Sequence, residues 1–437
     1  MIKRILCIGI LFALLLSGCV FNRPEPQPVP PPPGSPPAVN TPPKDSPPAK
    51  QPVAFMAKNL MDGVTAADIA AVTVDDPFIT AAANFSVELF KNSFSQDGNS
   101  LISPVSVLLA LAMTANGADG TTLSQMEAVL GGGLNIGQLN EYLYSYVKSL
   151  PSEEKSKLDI ANSIWFREDN FTVEQNFLQK NADYYGADAF KAAFDESTVD
   201  DINFWVSENT DGLIEKILEE IPDAAIMYLI NTILFDAEWA SCYGGASDGQ
   251  FTDVLGAKQN VQFMYASEYQ YLEDDNATGF IKPYFGDKYS FAAILPNENL
   301  SIGEYVASLS GEKFESLVSN AMGEKTSTAL PKFEYEYEIV MNDLLKDMGI
   351  TDAFSQGTAD FTKIGSAEAG NIYIGEVLHK TFITVDESGT KAAAATSVGM
   401  EAQSAPTRQV ILDRPFLYAI IDNTTNLPLF MGTVLTF

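Results

Sequence analysis

The sequence predicts an α+β protein in which one large folded part follows a short processed N-terminus. Apolar residues at helical spacing dominate the early part of the chain, whereas continuous apolar runs typical of strands gather later. From about residue 77 to residue 437 no second low-complexity segment interrupts the sequence. This stretch therefore forms two domains or one unusually large fold. Helices first and mixed strands later are typical of the α+β class.

Two helices are predicted in the early part. Residues 78–94 carry apolar side chains at helical spacing. Ser103 and Pro104 begin the second helix, because a serine can cap the first turn and a proline fits its first position. Residues 105–113 are apolar on nearly every side, which indicates a buried helix. The predicted strands that are apolar enough to be buried on both faces are residues 227–235, 291–295, 416–421 and 428–437, and residues 377–385 are predicted as a β-branched strand.

The first residues are typical of an export signal. Lys3 and Arg4 precede an apolar run at residues 5–16, which is too short to span a bilayer as a mature helix. Residues 15–19 resemble a bacterial lipobox, and this resemblance implies a signal peptide at residues 1–18 and stable anchoring through acyl chains on Cys19. The alternative is an ordinary cleaved signal that ends in cysteine. The protein is expected to be exported and lipid-anchored, on the extracellular or periplasmic face of the cell envelope.

Residues 19–53 are predicted to hold the folded part away from the membrane. Proline recurs in clusters over residues 22–53. Such a stretch favours an extended polyproline spacer with a reach of roughly 100 Å, at about 3.1 Å per residue. Residues 54–76 are an uncertain extension, of which residues 54–60 either begin a short helix or extend the linker.

Charge and cysteine content exclude several classes of function. The formal charge of −31 argues against binding to nucleic acid. Cys7 leaves with the signal and Cys19 would be lipidated, so only Cys242 remains and no intrachain disulfide is expected. The sequence contains no cluster of Cys and His residues, so a metal site is not predicted. No cofactor is expected either.

The residue inventory does not favour an enzyme. The single histidine, His379, lies in a β-branched strand, where a hydrogen-bonded core group is more typical than a catalytic base. No nucleophile elbow is present, and the glycines at residues 131–133 lack the Lys and Ser/Thr of a phosphate loop. Acidic runs such as residues 273–275 are typical of solvated surface, although a glycosidase-like carboxylate pair stays open as an alternative.

The segment at residues 386–397 is unusual, because a run of alanines follows a glycine and a threonine. Alanine in series usually forms a helix, and a surface helix is one interpretation. The preceding strand and Gly389 make a poor helix neighbourhood, whereas small side chains allow a segment to enter between two existing strands. The residues that would share one face of such a strand are Thr390, Ala392, Ala394 and Thr396.

With its acidic residue, glycine, threonine and alanines, the stretch at residues 386–394 resembles the hinge of the reactive loop in the serpin family. Further segments that resemble serpin motifs, in the family's order, are residues 99–106, 231–239, 330–350, 411–420 and 428–432. The resemblance implies one serpin domain at residues 77–437. It also implies three β-sheets surrounded by about nine helices, with an exposed reactive-centre loop at about residues 387–410.

The resemblance further implies roles for individual residues. The hinge would consist of Glu387, Gly389, Thr390, Ala392, Ala393, Ala394 and Ala395. The shutter, a polar cluster beneath the central sheet, would consist of Ser103, Ser106, Asn231 and His379. His379 would then be structural. Trp239 would lie in the breach, the upper end of the sheet where the loop begins to enter.

The implied function is inhibition of proteases by a suicide-substrate route. A target serine or cysteine protease would form an acyl-enzyme with the loop, and insertion of the loop as a new strand would trap the complex covalently. One alternative is a non-inhibitory serpin-fold binding protein; such members typically carry bulky, charged or proline residues in the hinge, where this chain has Thr390 and alanines. The other alternative is a hydrolase with unusual chemistry. The expected partners are a protease and, through Cys19, a membrane, and the expected state is a monomer.

The family's usual spacing also implies the position of the cleaved bond. Counting from the hinge Glu387 gives the bond Gln403–Ser404. Counting back from residues 414–416 gives Ser404 instead, and the exit segment absorbs the extra residue more easily than the hinge does. The second choice is Ala402–Gln403. Neither bond offers Lys or Arg, so a strictly trypsin-like target is not expected.

Overall fold

Three large β-sheets and nine α-helices make up most of the part of the chain that the structure describes. The computed structural model describes residues 55–169, 171–222, 225–368, 370–390 and 408–437. The described residues from Phe55 onward belong to one compact unit, which favours one large fold over the two-domain alternative. The predictions that lie outside the described residues concern the signal, the linker, Cys19, Ala392, Ala393, Ala394, Ala395, Ala402, Gln403 and Ser404.

Both predicted early helices are confirmed. Helix α1 (Asp76–Ser93) is capped by the Asp75 carboxylate, and every residue of α2 (Pro104–Ala115) is buried. The predicted side-chain cap at Ser103 is wrong, because this hydroxyl donates to the Leu429 carbonyl and not to the first turn of α2. The other helices are α3 (Gly120–Gly131), α4 (Ile136–Ser149), α5 (Gln175–Tyr185), α6 (Glu196–Asn209), α7 (Ile302–Ala307), α8 (Gly311–Ser319) and α9 (Asn342–Asp347).

The five predicted strands are present, as β6, β11, β15, β18 and β19. In chain order the strands are β1 (Lys58–Asn59), β2 (Ser100–Ile102), β3 (Ser156–Arg167), β4 (Phe171–Val173), β5 (Asp188–Ala192), β6 (Met227–Glu238), β7 (Ala246–Thr252), β8 (Lys258–Glu268), β9 (Gln270–Glu273), β10 (Ala277–Pro283), β11 (Tyr289–Pro296), β12 (Thr326–Pro331), β13 (Phe333–Val340), β14 (Gly365–Ala367), β15 (Glu376–Val385), β16 (Gly389–Thr390), β17 (Arg408–Ile411), β18 (Phe416–Asp422) and β19 (Pro428–Val434).

Each large sheet joins strands that are distant from one another in the sequence. The seven-stranded sheet runs β1-β5-β3-β6-β16-β15-β13, the six-stranded sheet runs β2-β19-β18-β11-β10-β9, and the four-stranded sheet runs β17-β12-β8-β7. Strands β4 and β14 form a separate two-stranded pair. The buried helix α2 contacts both β6 and β19, so it links the two larger sheets. This architecture confirms the α+β class.

The extension before α1 is an added edge of the seven-stranded sheet. Strand β1 pairs antiparallel with β5, and the described residues 55–60 form no helix, so the helix alternative for this stretch is not observed. The Asp201 carboxylate accepts hydrogen bonds from the backbone N–H groups of Met56 and Ala57, and the ring of Phe55 lies 5.2 Å from that of Phe190. These contacts hold the segment on the folded body, so its described residues do not extend the linker.

Candidate functional site

A gap between β6 and β15 is the central feature of the seven-stranded sheet. At its lower end the two strands pair in parallel, with residues 376–378 opposite residues 228–230. At its upper end β16 separates them, because Thr390 pairs with Ala237 of β6 and with Val385 of β15. The side chains that line the gap include Ile233, Leu234, Phe235, Phe382, Ile383 and Thr384. A strand that entered below Thr390 would find two neighbours to pair with.

Gly389 and Thr390 fit closely into the upper end of this gap. A Cβ atom at Gly389 would lie 2.0 Å from the Ala237 carbonyl oxygen, so no larger residue fits without movement of the backbone. Thr390 is 2% exposed, and its hydroxyl lies 2.5 Å from the Tyr284 hydroxyl. Burial raises the pKa of Tyr284 well above its ordinary value, although the hydrogen bond to Thr390 lowers it. Both hydroxyls therefore carry their protons at neutral pH.

The turn before Gly389 is held by the segment that follows β6. The Trp239 backbone N–H donates to the Ser388 carbonyl at 2.8 Å, and its indole N–H donates to the Asp386 carbonyl at 2.8 Å. The Tyr243 backbone N–H donates to the Glu387 carbonyl at 2.9 Å. Three successive carbonyls of the turn thus accept hydrogen bonds from one short segment. Trp239, predicted for the breach, lies in contact with the predicted hinge.

Glu387 forms an ion pair with Lys332, whose ammonium lies 2.7 Å from the carboxylate. Partial burial raises the pKa of Glu387, but the hydrogen bond and the charge of Lys332 outweigh burial, and the net pKa is lowered. Both side chains are about one-third exposed, at 37% for Lys332 and 31% for Glu387, so solvent screens this pair. The Lys332–Glu387 pair therefore adds little to stability, and we assign it the role of orienting the turn at Glu387.

Two of the four predicted shutter residues are in direct contact. The Ser103 backbone N–H donates to His379 Nε2 at 3.0 Å. The Asn231 amide instead donates to Asn162 Oδ1 at 2.6 Å, and no partner is present for its own Oδ1 among the described residues. The Ser106 hydroxyl is likewise buried without a partner in the part of the chain that the structure describes. The cluster thus contains polar atoms that are buried but incompletely paired, which is costly.

His379 has the properties of a core residue. Burial lowers its pKa to about 4, so the imidazole is neutral at pH 7. Because Nε2 accepts a hydrogen bond from Ser103, the proton of the neutral ring is on Nδ1. A buried, hydrogen-bonded histidine of this kind fits the structural role that the sequence predicted for it.

Both ends of the predicted reactive loop are held in sheets. The upstream end is β16, and the downstream end is β17, which pairs in parallel with β12. Arg408, the first residue of β17, has its guanidinium 2.9 Å from Glu324 and 4.8 Å from the centre of the Tyr271 ring. These contacts hold the Arg408 side chain, which stays 38% exposed, against the surface of the folded body.

The structure adds site residues that sequence analysis did not identify. Tyr284, Lys332 and Tyr243 touch the hinge turn but lie far from it in the sequence. The only available signal concerned Lys332, which falls in one of the motifs that resemble serpin segments. Its pairing with Glu387 depends on the fold and was not predicted.

Comparison with known proteins identifies the family. The profile described as "Serpin (serine protease inhibitor)" matches residues 80–437. An uncharacterized serpin-like protein of Thermococcus kodakarensis is 30% identical over 378 residues, which cover 83% of this chain and 86% of the relative. A leukocyte elastase inhibitor of Xenopus laevis is 31% identical over 375 residues, which cover 81% of this chain and 97% of the relative.

A solved structure is also similar over the whole of its length. The thermophilic serpin tengpin in its native state is 55% identical, with a TM-score of 0.85, and the match covers 87% of this chain and all of that chain. The chain belongs to the serpin family and has the serpin fold. Members of this family are mostly protease inhibitors and not catalytic enzymes.

Across residues 55–437, apart from the undescribed positions, no group of three or more His, Cys, Asp or Glu side chains could hold a metal ion. Within the same part of the chain, no helix combines the length and apolar character needed to cross a membrane.

Proposed function

We propose that this serpin inhibits a protease as a suicide substrate and traps it as a covalent acyl-enzyme. The observation that supports the proposal is the gap between β6 and β15, with Thr390 already paired at its upper end. The chain beyond Thr390 is alanine-rich, so its small side chains meet little steric resistance as they enter. Loop insertion requires an open position between two strands, next to a short strand that the loop itself continues. The gap below β16 is such a position.

The proposed reaction is a competition between two steps. The protease nucleophile attacks the loop carbonyl, and the bond to the following residue breaks to leave an acyl-enzyme. Water then releases the protease unless the upstream part of the loop inserts first and carries the protease away. The segment from Thr390 to Gln403, fourteen residues long, would span roughly 45 Å at about 3.3 Å per residue as a strand. That length is sufficient to cross the sheet.

The cleaved bond is proposed to be Gln403–Ser404, with Ala402–Gln403 as the second choice. An uncharged residue before the bond favours a target that accepts small or uncharged side chains over a strictly trypsin-like one. The contacts of Arg408 with Glu324 support this proposal, because they place the nearby arginine in a paired strand. We further propose that the chain is exported, held at the envelope through a lipid on Cys19, and monomeric.

Incubation with a panel of serine and cysteine proteases tests the inhibitory function. The expected result is a band on denaturing gels at the summed mass of the two proteins, formed by a protease that cleaves the loop. Catalytically inactive forms of the same proteases are the control and should give no such band. Cleavage of the loop without any covalent complex across the panel would instead favour a non-inhibitory binding protein. Complete turnover of added substrates by the chain itself would favour a hydrolase.

A further inference from the structure

Two tyrosines near the end of β8 are unusually exposed. Tyr265 lies in β8 and is 54% exposed, and Tyr269, which follows β8 directly, is 52% exposed. Among the residues that the structure describes, no other aromatic side chain is as exposed as these two. Tyrosine rings contribute strongly to protein interfaces, so two such rings exposed four residues apart are typical of a contact surface. We call this pair of residues the tyrosine surface.

The outward face of the four-stranded sheet connects Tyr265 to the strand that follows the loop. Exposed side chains alternate with more buried ones along the end of β8, so Tyr265 and Ser267 share the outward face. Ser267 lies opposite Ser327 of β12, and Ser327 lies opposite Gln409 of β17. Side chains of directly opposite residues lie on the same face of a sheet. Gln409 therefore faces outward on the same side as Tyr265.

The downstream end of the loop lies two strands away from the end of β8. Thr326 of β12 is opposite Arg408, the first residue of β17, and also opposite Glu268, the last residue of β8. Neighbouring strands are about 4.8 Å apart, so the start of β17 is about 10 Å from the end of β8. The Arg408 guanidinium also lies 4.8 Å from the centre of the Tyr271 ring, two residues beyond Tyr269. The tyrosine surface and the downstream end of the loop are therefore neighbours.

A recess of about 600 Å³ connects the tyrosine surface to the upstream end of the loop. Its lining includes Tyr265, Tyr269 and Tyr243, and the backbone N–H of Tyr243 donates to a carbonyl of the hinge turn. Strand β7 begins opposite Met264, so on the side away from β12 no described strand lies beside residues 265–268. A loop of a partner protein can therefore project into the sheet edge beside the tyrosines, between the two ends of the reactive loop.

A protease at the proposed bond is large enough to reach this surface. Gln403 precedes Arg408 by five residues, which span at most about 18 Å when fully extended. A protease domain of about 200 residues has a radius of gyration of about 16 Å. A body of that size held at the Gln403–Ser404 bond therefore extends past the start of β17 to the end of β8, which is about 10 Å farther on.

We propose that the tyrosine surface is a second contact site for the target protease, outside the reactive loop. The proposal rests on the proposed inhibitory function and adds the residues that recognise the folded protease. The two rings would pack on apolar or cationic side chains beside the active-site cleft of the protease. The loop sequence then determines which bond is cleaved, whereas the tyrosine surface increases the rate at which the matching protease is captured.

Association kinetics with a protease that forms the covalent complex test the tyrosine surface. The double variant Tyr265→Ala/Tyr269→Ala should lower the second-order association rate constant at least tenfold, since truncation of interface tyrosines is among the most costly. The stoichiometry of inhibition should stay unchanged, because the loop and hinge are intact. Tyr265→Phe keeps the ring and should stay within twofold of the natural protein. Leu255→Ala is the matched control, because Leu255 is 88% exposed in the turn between β7 and β8, at the far end of the same sheet.

Binding to an inactive protease separates recognition from trapping. A form of the same protease with its catalytic nucleophile replaced by alanine cannot cleave the loop, so its dissociation constant reports recognition alone. The double variant should raise this constant at least tenfold. The measurement also decides where the natural protein is cleaved without a covalent complex, a result that contradicts trapping but leaves recognition by the tyrosines to be measured.

Three results overturn the proposal. The first is a double variant whose association rate constant and dissociation constant both stay within twofold of the natural protein. The second is an equal loss in Leu255→Ala, which would show that the effect does not depend on the tyrosine surface. The third is a panel in which no protease, active or inactive, binds or cleaves the chain, and this result also overturns the proposed inhibitory function.

Discussion

Replacement of Thr390 by arginine puts a long cation where the structure buries a small hydroxyl. Thr390 is 2% exposed and paired on both sides within the seven-stranded sheet, and its hydroxyl satisfies that of Tyr284. We therefore expect Thr390→Arg to convert the inhibitor into a substrate. Cleavage of the loop continues, because the scissile bond is unchanged, but the covalent complex is lost.

The magnitude follows from the surroundings of Thr390. An unpaired charge in a buried position costs about 3 to 5 kcal/mol. In the native protein the variant avoids this cost by releasing residue 390 from the sheet, so insertion must then bury the cation. A barrier raised by about 3 kcal/mol in this way slows insertion about a hundredfold. Hydrolysis of the acyl-enzyme is unaffected, so the number of inhibitor molecules consumed per trapped protease should rise steeply. Thr390→Val is the matched control, because it keeps the shape, removes the hydrogen bond to Tyr284 and adds no charge.

The assay measures the stoichiometry of inhibition and the rate of loop cleavage with the protease found to form a covalent complex. We expect the stoichiometry to rise slightly for Thr390→Val and strongly for Thr390→Arg, with similar cleavage rates. An arginine variant that traps the protease with unchanged stoichiometry would refute insertion through this position. Equal losses for both variants would assign the effect to the hydrogen bond and not to the charge.

Three further predictions concern the anchor, the shutter and the cleaved bond. Cys19→Ala should move the protein from the membrane to the soluble fraction on cell fractionation, and unchanged membrane association contradicts lipidation. His379 has a pKa of about 4 when folded against 6.5 for the free group, so the unfolded chain gains the proton first and stability falls as the pH drops below about 6.5. Between pH 7.5 and 5 urea unfolding should lose about 2 kcal/mol more for the natural protein than for His379→Gln, which can still accept from Ser103. Mass spectrometry of the covalent complex should place the acyl bond at Gln403–Ser404, and a bond outside residues 400–405 is incompatible with the proposed register.

The sequence predicted elements whose signals are local. Helix α1 shows helical spacing with a capping Asp75, and the buried strands β6 and β18 are continuous apolar runs. Strand β1 was missed, because two residues carry no periodicity of their own and their pairing depends on β5 and on the Asp201 carboxylate. The cap predicted at Ser103 failed for the same reason: a distant acceptor, the Leu429 carbonyl, competes for the hydroxyl.

The residues of the candidate site likewise include some that the sequence predicted and some that it did not. The hinge residues Gly389 and Thr390 were predicted from a contiguous motif by resemblance, and the structure places them at the head of the gap. Tyr284 and Lys332 were not predicted, since nothing local marks a tyrosine or a lysine as the partner of a residue some 55 to 106 positions away. Long-range polar contacts of this kind are set only when the sheets assemble.

The described pairing also sets the register that an inserted loop would follow. Thr390 lies opposite Ala237 on β6 and opposite Val385 on β15, and β16 is antiparallel to both strands. Each later residue of the loop would therefore pair with the residue one position earlier in β6 and one position earlier in β15. The partners of alternate residues, counted in this way, are Ala392 with Phe235 and Ile383, Ala394 with Ile233 and Thr381, and Thr396 with Asn231 and His379.

This register relates the small residues of the loop to the polar cluster beneath the sheet. Ala392 and Ala394 would enter beside large side chains of the gap, where only small groups fit between two packed strands. Thr396, the first hydroxyl after them, would arrive between Asn231 and His379. Asn231 Oδ1 has no partner among the described residues, and a threonine hydroxyl can donate to it. We therefore expect that insertion in this register would give Asn231 Oδ1, which lacks a partner among the described residues, a hydrogen bond from the Thr396 hydroxyl.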